Sequence, residues 1–257
     1  MNTTALKNYI NDNKLNEKLI ALYGEESLEM QKARYTKAID GFISEYGECE
    51  VQLFSVPGRS EISGNHTDHN NGKVIAAAIN LDVIAVVSTR DDGIINIKSE
   101  GFDEKDTVDT SKVSPCEKNY FTSYALITGM CDGFNNNGYK IGGFDAYTTS
   151  NVFKGSGLSS SAAFEVMVGN ILNHLYNDGN VSNVQIAKIA QFAENVHFGK
   201  KSGLRDQMAC AVGGFINIDF EDTKNPIINK IDFDLNKYGY YLYIVNTGGN
   251  HADLNDD

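Results

Sequence analysis

Apolar residues recur at helical spacing early in the chain. Tyr35, Ala38, Ile39, Phe42, Ile43 and Tyr46 share one face of a 3.6-residue repeat, so residues 4–47 are predicted to be helical with Gly47 as the stop. Beyond it the period changes. Residues 51–56, VQLFSV, read as a strand that Pro57 and Gly58 break, and the SEISGNHTDHNNG that follows is a loop dense in turn formers. Residues 74–99 are β-rich. The runs IAVV at 84–87 and IINI at 94–97 flank Asp91-Asp92-Gly93, which predicts a hairpin in which two strands pair. Helices are expected over 117–138, over 158–176 with Ala162, Val166, Ile171 and Leu175 near one face, and over 184–196. Strands are expected over 144–152 and, as an apolar run ending in Thr247-Gly248-Gly249, over 240–245. With no internal repeat, low-complexity tract or linker, this alternation places the chain in the α+β or α/β class.

Composition narrows the ligand classes. The 34 acidic against 22 basic residues give 257 residues a net charge of −12, which disfavours nonspecific contact with nucleic acid or an anionic membrane. Any anionic ligand must therefore be held locally. The start MNTTALKNYINDNK lacks the apolar core of a signal peptide and no stretch has the length of a membrane span, so a cytoplasmic protein is expected. Cys49, Cys116, Cys131 and Cys210 are scattered, form no metal-binding spacing and are read as free thiols.

Three loops carry candidate chemistry. In Lys154-Gly155-Ser156-Gly157-Leu158-Ser159-Ser160-Ser161-Ala162-Ala163, the glycines admit a ligand to the backbone and the hydroxyls stand at a helix start. Such a start offers free N–H groups and partial positive charge to phosphate oxygens. The spacing is not that of a Walker A loop, and the same residues also suit a serine cap on an ordinary helix. In 57–72, PGRSEISGNHTDHNNG, closely spaced carboxylates, amides and imidazoles can bind the hydroxyls of a polyol. Its His66, Asp68 and His69 also resemble part of a zinc hydrolase site, and a solvated turn is the plain alternative. In 193–207, AENVHFGKKSGLRDQ, Asp206 can accept a hydroxyl proton or simply cap a helix.

In order, these loops resemble the three signatures of the galactokinases within the GHMP kinase superfamily: GRSEISGNHTDHNNG, KGSGLSSSAA and GLRDQ, with a closing TGGNHADL. The similarity runs from about residue 54 to residue 254, and three ordered matches are far more specific than one. It implies an α+β fold with a ribosomal-S5-domain-2-like N-terminal domain and the beginning of a ferredoxin-like C-terminal domain. The expected divisions are a helical extension at 1–47, the kinase N-terminal domain at 48–235 and an incomplete C-terminal domain at 236–257. It also implies a kinase that phosphorylates the anomeric hydroxyl of galactose from ATP with Mg²⁺. By motif position Asp206 and Arg59 are catalytic, and Asn65, His66, Asp68 and Gly203 bind the sugar. Gly155, Ser156, Gly157, Leu158, Ser159, Ser160 and Ser161 hold the ATP phosphates, and Ser160, Ser161 and Glu194 stand in the places of Mg²⁺ ligands.

The chain departs from that pattern. Asn65 replaces the usual Glu, His69 the usual Tyr, and Ser60-Glu61 alters the segment after Gly-Arg. An amide in place of a carboxylate changes the contacts to the far end of a sugar, which keeps another sugar open as the substrate, an amino sugar or arabinose among them. A non-catalytic galactose and ATP sensor is the reading from a different class, and the uninterrupted GSGLSSSAA together with Asp206 favours catalysis over it. The family pattern also continues beyond TGGNHADL, so the sequence is expected to be a fragment within the C-terminal domain.

Overall fold

In a computed structural model of the chain, residues 1–64, 67–152 and 157–245 are described, with the side chains of Asp68, His69 and Asn236 left aside. The predicted helical segment divides into α1 (Thr3–Asn11), α2 (Asn16–Tyr23) and α3 (Leu28–Tyr46). Three of the helix ends have a local cause. Asn2 caps α1 by accepting from the Thr4 N–H, and α2 and α3 end at Gly24 and Gly47, whose φ values of 85° and 84° favour glycine.

Among the described residues a seven-stranded mixed sheet follows, in the order β4 (Asp106–Asp109), β3 (Ile94–Ser99), β5 (Gly143–Ser150), β2 (Lys73–Arg90), β6 (Phe215–Asp219) and β7 (Ile227–Ile231), with β1 (Gln52–Ser63) paired to β2. Its axis is β2 (Lys73–Arg90), eighteen residues long. β1 (Gln52–Ser63) runs antiparallel along it, β5 (Gly143–Ser150) pairs with residues 83–90, and β6 (Phe215–Asp219) pairs with residues 73–77. β1 thus continues through Pro57 and Gly58, where the sequence predicted a break. A register shift between Pro57 and Arg59 absorbs them, since a bulge tolerates a residue without an N–H.

The expected pairing across Asp91-Asp92-Gly93 does not form. β3 (Ile94–Ser99) lies parallel to β5, which sits between β2 and β3, and β4 (Asp106–Asp109) closes that edge. The dipeptide signal reports that the chain turns, not which strand lies alongside. Gly143 admits the intruding strand, because a Cβ there would stand 2.6 Å from the Ile94 carbonyl oxygen. Arg90 then ties the turn to β5 by bonding Asp145 at 3.0 and 3.1 Å.

Both faces of the sheet are covered, which explains the unbroken IAVV run. Val83, Ala85 and Val87 face α4 (Ser123–Asn136), α5 (Ser160–Tyr176) and α6 (Asn183–Phe192) in the main core. Ile84 and Val86 face the opposite way, against Leu6, Leu19, Ile39 and Phe42 of α1–α3. A third cluster joins Val74, Ile216 and Ile218 to Met208 and Ala209 of α7 (Arg205–Val212). Of the four free cysteines, Cys131 and Cys210 are buried.

A polar lock fastens α1–α3 to the sheet. Asp82, 2% exposed, accepts from Arg34 Nη1 at 2.6 Å and from the Tyr23 and Ser55 hydroxyls, each at 2.5 Å. Arg34 Nη2 also donates to the Asp82 carbonyl oxygen at 3.0 Å.

The expected strand at 240–245 is absent. That run follows β7 (Ile227–Ile231) and a short turn at Leu235–Tyr238, and it pairs with no strand among the described residues. An apolar run acquires strand geometry from a partner, and without one its side chains stay exposed, Tyr243 at 81%. Among the described residues no helix is long and apolar enough to cross a membrane.

Candidate active site

β5 pairs with β2 from Val83 onward and β6 only as far as Ala77, so the sheet parts between them. Arg59 stands opposite Ala78 on β1, at the level of that opening. Just ahead of α5, the Leu158 carbonyl accepts the Arg59 N–H at 3.2 Å and the Gly157 carbonyl accepts Arg59 Nη1 at 2.6 Å. Close approach of this loop depends on Gly58. A Cβ there would lie 2.9 Å from the Leu158 oxygen and 3.1 Å from both Val152 methyls.

Arg59 then spans to α7. Its Nε and Nη2 donate to Asp206 Oδ1 and Oδ2, both at 2.8 Å, in the two-pronged geometry that suits a guanidinium and a carboxylate. Arg205 Nε adds a bond to Oδ1 at 3.1 Å and the Ser159 hydroxyl one to Oδ2 at 2.6 Å. These four bonds fill the carboxylate's acceptor capacity. Burial alone would raise the Asp206 carboxyl, but the Arg59 fork, with help from Arg205 and Ser159, holds it well below the ordinary carboxylate range. Asp206 is the second residue of α7, so the helix N-terminus favours the same charge. It does not act as the helix cap.

Ser159 is not a side-chain cap for α5. It occupies the N-cap position of α5 but makes no capping bond, and its hydroxyl turns to Asp206 instead. Its φ of 62° is left-handed, a conformation uncommon for a residue other than glycine and often retained at functional sites. Arg205, 4% exposed, is balanced by Glu61, whose Oε2 lies 2.8 Å from Nη1.

A second polar group adjoins the first. The Ser161 hydroxyl, in the first turn of α5, donates to Glu194 Oε1 at 3.0 Å. Glu194, 2% exposed, sits on a π-helical turn, Ala193–His197, that continues α6. Such turns re-aim side chains and are frequent at functional sites. Lys200 Nζ lies 3.5 Å from the same oxygen, and Gln207 Nε2 donates to Glu194 Oε2 at 2.7 Å. Gln207 also reaches Glu165 Oε2 at 3.3 Å. Glu165 is fully buried. That burial, reinforced by the Glu194 charge, pushes its carboxyl well above the ordinary range.

Of the residues singled out from the sequence, Arg59, Gly157, Leu158, Ser159 and Asp206 converge directly, and Ser161 with Glu194 forms the neighbouring pair. Ser160 opens α5 beside them, and Gly203 lies in the turn before α7, three residues from Asp206. Asp68 falls in a short turn, Thr67–Asn70, next to β2. Asn65, His66, Gly155 and Ser156 lie outside the described residues. Sequence reasoning missed Glu61, Arg205, Gln207 and Glu165. Glu165 did leave a signal, being the one acid within the apolar stretch of α5 at 162–169.

The chain resembles known proteins in both sequence and fold. The GHMP kinases N terminal domain matches residues 124–214, and the galactokinase galactose-binding signature matches residues 40–89. A galactokinase from Streptomyces coelicolor is 34% identical over 84% of this chain and 57% of its own length. One from Clostridium tetani is also 34% identical, over 67% of this chain and 43% of its own length. The chain thus spans about half the length of the curated relatives it matches. Among solved structures, Lactococcus lactis galactokinase complexed with galactose superposes with a TM-score of 0.68 at 28% identity, covering 76% of this chain and 51% of that one. The Methanococcus jannaschii mevalonate kinase, at 16% identity and a TM-score of 0.59 over 74% of this chain and 58% of its own, shares the fold. By the two family-model matches and the likeness to galactokinases in sequence and structure, the chain belongs to the GHMP kinase superfamily, among the galactokinases.

Proposed function

We propose that the protein of which this chain is part transfers the γ-phosphoryl group of ATP to the anomeric hydroxyl of D-galactose, giving galactose 1-phosphate and ADP. The observation that carries this is the ionised Asp206, clamped by Arg59 and facing the helix start that begins at Ser159. The N-terminus of α5, with free backbone N–H groups and the Ser159–Ser161 hydroxyls, suits the ATP phosphates. Asn65, His66, Asp68 and Gly203 remain the sugar contacts that the motif assigns.

Asp206 is a weak base, because its charge is so well stabilised. It therefore acts by orienting the attacking hydroxyl and takes the proton late, once bonding to phosphorus has made that hydroxyl acidic. A loose phosphoryl-transfer transition state asks for little more. With every acceptor site of the carboxylate filled, the sugar hydroxyl takes the place of Ser159, the one neutral and freely rotating donor of the four. Arg59, anchored to both the loop and Asp206, offers its charge to the transferred group.

Glu194 and Ser161 fit Mg²⁺. They are hard oxygen donors 3.0 Å apart, close to the roughly 3.0 Å that would separate neighbouring ligands at bonds of about 2.1 Å. Among the described residues no group of three or more His, Cys, Asp and Glu forms an all-protein cage, which suits an ion whose shell phosphates and waters complete. When bound, the ion neutralises charge on the phosphate oxygens.

The test is ADP release from Mg-ATP across galactose, N-acetylgalactosamine, arabinose and glucose, with binding of each sugar to the 257-residue chain measured alongside. Release with galactose and binding of galactose are expected. Preference for another sugar would reassign the substrate through Asn65. Binding of sugar and ATP without ADP release by the whole protein would sink the catalytic assignment and favour a sensor.

A further inference from the structure

Gln207 sits between two carboxyl groups and leaves two buried atoms unexplained. Its Nε2 donates to Glu194 Oε2 at 2.7 Å and reaches Glu165 Oε2 at 3.3 Å, while Glu165 Oε1 and Gln207 Oε1 have no hydrogen-bond partner among the described residues. Glu165 and Gln207 are both fully buried. A polar pair that packs so deeply with half its capacity unused costs stability, and an apolar pair of similar size would avoid that cost. Its arrangement has one directional consequence. The bridging amide holds Glu194 Oε2, which leaves Oε1 facing Ser161 on the ligand side.

We infer that Glu165 is a positioning residue: through Gln207 it fixes the rotamer of Glu194, so that Oε1 and the Ser161 hydroxyl stand ready as neighbouring ligands of the nucleotide-bound cation. The inference rests on the Mg²⁺-dependent kinase reading above and deepens it. Glu165 lies on α5, the helix that carries Ser161, whereas Gln207 lies on α7 next to Asp206. The relay therefore ties the cation pair and the phosphoryl-accepting side to one internal strut. Partners that orient a metal ligand are commonly worth about 10- to 100-fold in metal affinity.

The experiment is calorimetric titration of a non-hydrolysable ATP analogue into the chain over a Mg²⁺ series, for native protein and the variants Glu165→Gln, Glu165→Leu and Gln207→Leu. Native binding should tighten as Mg²⁺ rises. Glu165→Leu should raise the Mg²⁺ concentration at half-effect by about tenfold and leave metal-free nucleotide binding unchanged. Gln207→Leu should do the same, and the double variant should go no further, because both break one relay. Glu165→Gln keeps an acceptor oxygen for the Gln207 amide at similar volume and should match native protein, which separates positioning from bulk packing. A native Mg²⁺ response that Glu165→Leu leaves in place, or a Glu165→Leu defect that appears equally without metal, would overturn the inference. Native nucleotide binding indifferent to Mg²⁺ would instead overturn the reading on which it stands, and the inference with it.

Discussion

Asp206 illustrates how one side chain's environment fixes its chemistry. Arg59 outweighs the burial that would otherwise raise its pKa, so the carboxylate persists as pH falls, until its depressed value is reached below the ordinary ~3.9. In ¹³C-labelled protein the Asp206 carboxyl resonance, assigned by its loss in Asp206→Asn, is therefore expected not to titrate between about pH 4 and pH 8. Titration inside that window would mean the Arg59 fork is open in solution. Turnover should fall by about 10²- to 10⁴-fold in Asp206→Asn, with ATP affinity retained, since the amide still occupies the space but presents donors where the hydroxyl needs an acceptor. A variant with near-native turnover would remove Asp206 from the mechanism. This much was readable in advance: GLRDQ named the residue, and GRS named its partner. The bonds to Ser159 and Arg205 were not readable, because a left-handed serine and a neighbouring arginine have no signature until the loops fold against each other.

Elements with a strong period were legible, and those defined by their neighbours were not. The α5 and β2 patterns follow from burial, nearly all round the helix and on both faces of the strand, and they appear where the sequence places them. The hairpin across Asp91–Gly93 fails because β5, fifty residues later, offers a better neighbour than the adjacent strand does. The tie between α1–α3 and the sheet was equally hidden. Nothing local in the sequence marks Asp82 as the acceptor for Arg34, Tyr23 and Ser55, which come from three other elements or their flanks. Replacing Asp82 with Ala would leave the Arg34 guanidinium, 11% exposed, without its counter-charge. The expected cost is about 3–5 kcal/mol in denaturant unfolding, with the loss of helical signal from α1–α3 preceding the rest. A loss below about 1 kcal/mol would class the pair with surface ion pairs and show that apolar packing alone holds those helices.

For the molecule as a whole, charge and apolar surface pull in different directions. A net −12 opposes the approach of a nucleotide, so Arg59, Arg205 and Lys200 must supply local attraction, and all three converge on the carboxylates of the site. The same net charge should keep copies of the chain apart, yet 240–245 presents Tyr240, Tyr241, Leu242, Tyr243, Ile244 and Val245 to solvent. The residues that were legible here as apolar were misjudged as a strand, because alternation and hydrophobicity describe what a segment can pair with, and no described strand pairs with it. Contiguous exposed aromatic and aliphatic side chains of this kind drive association once concentration overcomes repulsion. Light scattering of the chain is therefore expected to show concentration-dependent association that strengthens as salt screens the charge over a Debye length of about 10 Å at 0.1 M. Tyr241→Ser, Tyr243→Ser and Val245→Ser together should abolish it while leaving nucleotide binding intact, because these side chains are 65%, 81% and 77% exposed and take no part in the site. Association that survives the triple change would place the sticky surface elsewhere, with the exposed Phe102 and Phe121 next in line.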